Sequence, residues 1–297
     1  MIGREDDLER INRTALQIAR EIAEETGTLF AGGISNTDLF LDPKVEDPAG
    51  EIRAIFEEQV RWSKEEGVDY IIAETISYFA EAKIALEVIQ SFGLPAVITF
   101  VVYGRNKEGV LTTVDGVPIS KACRQMLDMG ATLVGTNCFH GPETMIEVVE
   151  EIVKEIPPEK VCALPVAYRT TKEEPGWTKL TDKCCPDNNP VYPHGLDAFY
   201  VSEVEIVKFT KRCMELGLKY IGICCGNTGN YTRAMAETLG RKPPASRYIR
   251  MMGYREPSLK HIQLFCSHLY TALPPPPTHT HTHHTHIPTH VQQVPYC

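Results

Sequence analysis

The chain has 297 residues, 43% of them hydrophobic and 23% charged, with a formal net charge of −9. That length carries one large domain with its own core, or two small ones, and the composition is that of an ordinary globular protein. The acidic balance argues against nucleic acid or an anionic membrane as a main partner, since both require a basic face. No run approaches the roughly 20 apolar residues of a membrane span.

The chain opens on an acidic, amphipathic stretch, about residues 4–25, that reads as a helix and is unlike a secretory signal. Its ten cysteines are therefore expected to be reduced, in the cytoplasm, rather than paired as disulfides. Short apolar, β-branched runs then alternate with longer helical patterns. The strands expected are "LFAGGIS" (29–35), "DYIIAET" (69–75), "PAVITFVVY" (95–103), "ATLVGTNC" (131–138), "VCALPVAY" (161–168) and "YIGICCG" (220–226). Between them Ile52, Ile55, Phe56 and Val60 repeat at helical spacing, as do Ile146, Val149, Ile152 and Val153. Each of "EEG", "SFG", "DMG" and "ELG" closes a helix with glycine just before the next strand.

Alternating β and α elements imply a parallel sheet with helices outside. The expected fold class is α/β, either a doubly wound sheet or a (β/α)8 barrel; six units suit the former, whereas the latter requires two more strand–helix units upstream of Met1. "AGGISNT" lacks the G-x-G-x-x-G spacing of a dinucleotide turn. The pattern stops near residue 255. Residues 1–255 are expected to form the domain, and 256–297, ending in "LPPPPTHTHTHHTHIPTHVQQVPYC", a disordered His/Pro-rich tail. Ahead of that tract, "SLKHIQLFCSHLYTAL" has the pattern of one short helix.

Three cysteines fall where strands end: Cys138, and the adjacent pair Cys224 and Cys225. Side chains at the C-terminal ends of parallel strands converge on one face. Three thiolates there would make three corners of a tetrahedron around Zn²⁺ and leave the fourth open, the arrangement of a catalytic rather than a structural site. Cysteine is also among the most buried residue types, so packing remains open for each of the three. Cys123, Cys162 and Cys213 sit inside element patterns and are expected in the core. The second vicinal pair, Cys184–Cys185, lies in the polar loop "DKCCPDNN" and is read as incidental. Glu74, closing its strand, is either a solvated acid or part of a site. In the latter case an unrelated barrel lyase or hydrolase using it as general acid/base is an alternative function.

"GTNC" on one strand and "YIGICCGNTGNYTRAMAETL" on a later one resemble the zinc signature of the homocysteine S-methyltransferases, its betaine-using members above all. "VDYIIAETI", "LPVAYRT", "HGLDAF" and "PPAS" support the resemblance, which covers roughly residues 3–250. It implies a (β/α)8 TIM barrel lacking its first two strand–helix units in this chain, and zinc-dependent methyl transfer from betaine or a related methyl-onium compound to the thiol of homocysteine. It assigns Cys138, Cys224 and Cys225 as the zinc ligands and Glu74 as the acid that holds the substrate's amino group. It implies that Asn137, with Gly135 and Gly226, shapes the turns beside the thiols and lends backbone groups to bind the substrate. Two features depart from the family. The strands bearing a "GDG"-like acidic motif and a Thr/Phe/Tyr-rich run are not in the chain, and Thr75 stands where betaine-using members carry a tyrosine. The same resemblance leaves open a homo-oligomer, and a zinc-binding relative without activity. For the donor, aromatic faces are expected to hold a quaternary ammonium, from among Tyr78, Phe79, Phe139, Tyr168, Trp177 and Tyr192.

Overall fold

The computed structural model describes residues 3–182, 190–226 and 228–248. The Cys184–Cys185 pair, the helix pattern in 258–273 and the 256–297 tail lie outside them. The chain divides into a unit at Met1–Ser246 and a second at Arg247–Cys297; the first carries everything below.

It is a repeating strand–helix chain. Helix α1 (Leu8–Thr26) precedes β1 (Ala31–Ser35), and α2 (Pro48–Glu65) precedes β2 (Tyr70–Ile76). There follow α3 (Phe79–Ser91), β3 (Ala96–Phe100), α4 (Ile119–Asp128) and β4 (Leu133–Asn137). Then come α5 (Pro142–Ile152), β5 (Val161–Leu164), α6 (Glu203–Leu216), β6 (Tyr220–Ile221) and α7 (Gly229–Thr238). The strands form one six-stranded sheet in the order β1-β2-β3-β4-β5-β6, every pair parallel. Neighbours in sequence are neighbours in space, the order of a barrel wall and not of a doubly wound sheet, whose strand order reverses.

Local chemistry fixes the boundaries. Asp47 caps α2 by accepting from the Gly50 N–H, with Pro48 in its first turn. Ser202 and Glu205 form a reciprocal capping box on α6. The four glycines before strands, Gly67, Gly93, Gly130 and Gly217, all take positive φ, at 84°, 69°, 98° and 90°. Only a residue without Cβ does so cheaply, so each helix stops there.

The core lies between the sheet's convex face and the helices. Ile52, Phe56 and Val60 of α2, Ile71, Ala73 and Ile76 of β2, and Ala85, Leu86 and Ile89 of α3 are fully buried. Val149 and Ile152 of α5 join them, with Ile55, Ile146 and Val153 packed at the margin. Cys123, Cys162 and Cys213 are completely enclosed, and burial pushes their thiols up, Cys213 to about 12. They are core thiols. No helix among the described residues is long and apolar enough to cross a membrane.

Three strands end well short of their sequence patterns. β3 ends at Phe100, β5 at Leu164 and β6 at Ile221, against expected ends at 103, 168 and 226. The last difference shapes the site.

Candidate metal centre and its surroundings

The β6 ladder stops at Ile221, yet the chain stays beside β5. The Gly222 N–H donates to the Ala163 carbonyl at 3.1 Å and the Cys224 N–H to that of Pro165 at 2.7 Å. One residue on, the Cys225 carbonyl accepts from the Ala167 N–H at 2.9 Å. Within a regular strand, Cys224 and Cys225 would point to opposite faces. Released from the pleat, and turned by Gly226 at φ 77°, both thiols come to the same side.

Cys138 reaches them from β4. It and Phe139 both adopt left-handed backbone, at φ 60° and 61°, a turn held by the Cys138 N–H donating to the Leu164 carbonyl at 3.0 Å and the His140 N–H to the Cys138 carbonyl at 2.7 Å. The Cys138 sulfur lies 3.8 Å from that of Cys225, and Cys224 and Cys225 are 3.9 Å apart. All three sulfurs lie within 4.8 Å of one another, a cluster able to hold a metal ion. Cys138 and Cys224 are half-buried and Cys225 is exposed, so the cluster opens to one side.

The three thiols perturb one another unequally. S–H donation, first from Cys138 and then from Cys224, holds the Cys225 thiol well below its ordinary range. The contacts with Cys224 and Cys225 push Cys138 up. Cys224 is lowered by Cys138 but raised further by Cys225 and by burial, and ends above its ordinary value. Three sulfurs this close together are a soft donor set.

Glu74, Thr75 and Asn137 border this cluster. Glu74 stands near the end of β2, paired in register with Ser35. Burial pushes its carboxyl up, and the Cys224 charge adds to this; among the described residues no hydrogen bond or ion pair meets that carboxylate. Thr75 has φ 62°, and the β2–β3 register shifts between Ala73 and Ile76, so a bulge carries Glu74 and Thr75 at the rim. Asn137 is completely buried. Its Oδ1 accepts from the Thr75 N–H at 2.7 Å and the Thr99 hydroxyl at 2.9 Å, and its Nδ2 donates to Thr75 Oγ1 at 2.7 Å.

An aromatic wall stands beside the sulfurs. Tyr168 and Trp177 stack with ring centroids 5.1 Å apart and planes within 6°. Tyr200 tilts against Tyr168 at 4.9 Å, and Tyr192 meets Trp177 edge-on at 5.3 Å. Cys138 and Cys224, like Trp177 and Tyr200, pack against the buried cluster that contains Tyr168. Of the aromatic residues expected near a donor, Tyr168, Trp177 and Tyr192 stand in this wall. Phe139 packs instead against Tyr103 and His140, and Tyr78 against Phe40. Tyr200 escapes a reading of the sequence because it sits in a loop between elements. The signal for Tyr200 was its place in "HGLDAFY", the loop that folds back so that Tyr200 bridges to Tyr168.

Residues 1–239 match the family model "Homocysteine S-methyltransferase". The chain is 31% identical over 247 residues to betaine–homocysteine S-methyltransferase 1 of Mus musculus, covering 80% of this chain and 56% of the mouse protein. It is 30% identical over 251 residues to the S-methylmethionine–homocysteine S-methyltransferase of Pongo abelii, covering 82% of this chain and 64% of that one. The chain thus spans little more than half the length of the mouse relative. In fold it is similar to the homocysteine methyltransferase MmuM of Escherichia coli, with a TM-score of 0.57 at 14% identity over 80% of this chain and 76% of MmuM for the apo form. The metallated form of the same enzyme superposes with a TM-score of 0.55 over 78% of this chain and 70% of that one. With the sheet order, the thiol cluster and the family match over most of its length in agreement, this chain belongs to the homocysteine S-methyltransferase family.

Proposed function

We propose that the chain carries the zinc-binding, homocysteine-activating half of a methyltransferase that moves a methyl group from betaine or a related onium donor to the homocysteine thiol, giving methionine. The observation that carries this reading is the sulfur spacing. A tetrahedral zinc with Zn–S bonds of about 2.3 Å holds its sulfur ligands about 3.8 Å apart, and two of the three separations here are 3.8 and 3.9 Å. Three soft ligands on one side, with the fourth open, suit zinc better than a hard cation.

Cys138, Cys224 and Cys225 would hold the ion. Bound there, zinc supplies the charge that keeps a substrate thiol deprotonated at neutral pH. The protein's own groups do the rest. Glu74, half-enclosed and without a hydrogen bond or ion pair among the described residues, presents a carboxylate to the substrate's ammonium and so orients homocysteine with its sulfur toward the thiols. Tyr168, Trp177 and Tyr200 keep water from one side of the cluster and offer aromatic faces to a methyl-onium donor. In the transfer the sulfur gives its electron pair to the methyl carbon as the bond from that carbon to the onium atom breaks. The leaving atom keeps the bonding pair and departs neutral. Such a displacement needs donor and sulfur held in line, so rate depends on positioning.

The test is metal content and its dependence on particular sulfurs. Purified under reducing conditions, the protein should hold about one zinc per chain. Serine at Cys138, Cys224 or Cys225 should abolish stoichiometric binding, and serine at Cys184 or Cys185 should not. Zinc retained in the Cys224→Ser variant would defeat the proposal, and would favour an acid/base function at Glu74.

A further inference from the structure

Asn137 stands where four hydrogen bonds meet, and elementary bonding rules fix which way its amide faces. The Thr75 backbone N–H can only donate, so the atom it meets at 2.7 Å is the amide oxygen. That oxygen's second lone pair takes the Thr99 hydroxyl. The amide nitrogen must then lie on the other side, with two hydrogens to place. One goes to Thr75 Oγ1 at 2.7 Å, and the other points at the Cys224 sulfur, 3.7 Å from Nδ2. All four positions of the side chain are filled, and no part of the residue reaches solvent.

Two of the partners are unusual. Thr75 is a threonine in left-handed backbone at a register shift, a conformation that costs a β-branched residue energy and persists only where its surroundings enforce it. Asn137 grips that residue twice, at its N–H and at its hydroxyl, and so fixes the bulge from which Glu74 projects. The other partner is one of the three clustered thiols. An N–H directed at a ligand sulfur stabilises the thiolate form and orients it, the role outer hydrogen bonds play around metal ligands.

We propose that Asn137 is a positioning residue that ties the two halves of the site together: one amide locks the Glu74–Thr75 bulge and donates an N–H···S bond to Cys224. The sulfur half of this rests on the metal-centre reading above; the bulge half does not.

Two measurements separate them. The first uses metal-free protein and denaturant midpoints of four chains: wild type, Asn137→Ala, Thr75→Gly and the double variant. Glycine tolerates the left-handed backbone unaided, so the drop in midpoint caused by Asn137→Ala should shrink by at least about half in the Thr75→Gly background. An equal drop in both backgrounds overturns the bulge half. The second uses unmutated protein loaded with ¹¹³Cd and asks for scalar coupling between the metal and one Asn137 side-chain amide proton. Coupling is the expected result, and the Asn137→Ala variant should bind zinc about 10- to 100-fold more weakly. Cadmium bound without coupling, or unchanged zinc affinity, overturns the sulfur half. Failure of the wild type to bind cadmium at all overturns the metal-centre reading and the sulfur half with it, while the stability cycle still judges the bulge.

Discussion

The hydroxyls of Tyr70 and Tyr220 meet at 3.1 Å, although their strands, β2 and β6, are separated by β3, β4 and β5 in the sheet. In a flat sheet four steps of about 4.8 Å would hold them about 19 Å apart. The sheet is therefore curled into the wall of a barrel, and the hydrogen bond spans its interior. Burial first, and then the Tyr70 hydroxyl, push the Tyr220 phenol far above its ordinary range. A double-mutant cycle with Tyr70→Phe and Tyr220→Phe should give a coupling energy of about 1 kcal/mol. Additive effects would mean the two hydroxyls do not share a bond in solution.

Gly226 should not accept a side chain. It combines φ of +77° with a Tyr168 ring whose atoms would lie 2.9 Å from an added Cβ. Gly226→Ala should therefore destabilise the protein by about 1–3 kcal/mol and, by shifting the turn that follows Cys225, weaken metal binding. The check is a urea melt alongside zinc titration. Unchanged values for both would show that the turn relaxes without cost.

Acid stability depends in part on Glu205. Its carboxylate accepts from Arg169 Nε and Nη2 at 2.8 and 3.0 Å, and from the Ser202 N–H and hydroxyl at 2.7 and 2.8 Å. Burial raises its pKa, but the bonds from Arg169 and Ser202 together outweigh that and leave it below the ordinary carboxylate value. A depressed folded pKa stabilises above the unfolded value of about 4.3, and the contribution is lost as pH falls through the folded value. Replacing Glu205 with glutamine should lower stability at neutral pH and flatten its decline below about pH 4.3. Denaturant melts across that range test this; an undiminished slope would assign the acid loss to other groups.

Helix α1 carries an apolar stripe that is exposed among the described residues. Leu8, Ile11, Ile18 and Ile22 are 47%, 47%, 58% and 54% exposed, and with Ala15 they follow the 3-4 spacing of a helix-packing seam. Among the described residues, β1 pairs with β2 alone. An exposed apolar seam and an open strand edge each promote association. The protein should sediment as concentration-dependent oligomers, and Ile11→Glu with Ile18→Glu should restore monomers. A monomeric parent at high concentration would defeat this prediction.

Much of this protein is written locally. The six strands, the helices between them and the four glycine stops follow from side-chain period and from backbone freedom, properties of a few adjacent residues. So does the burial of Cys123, Cys162 and Cys213, each inside an apolar repeat. The sequence also set Cys138, Cys224 and Cys225 at the ends of strands, where sheet topology brings side chains to one face. Tertiary structure decided what those positions became. That both vicinal thiols face one way depends on the β6 ladder ending at Ile221, because pleating continued to Cys225 would have sent them apart. That Tyr200 packs against Tyr168 depends on a bridge between residues 32 apart in the chain, which no local pattern encodes. Asn137 reads as a turn residue beside a cysteine; only the curl of the sheet brings Thr75, Thr99 and Cys224 around its amide, because hydrogen bonds among four strand ends are set by how the strands are wrapped and not by any one of them.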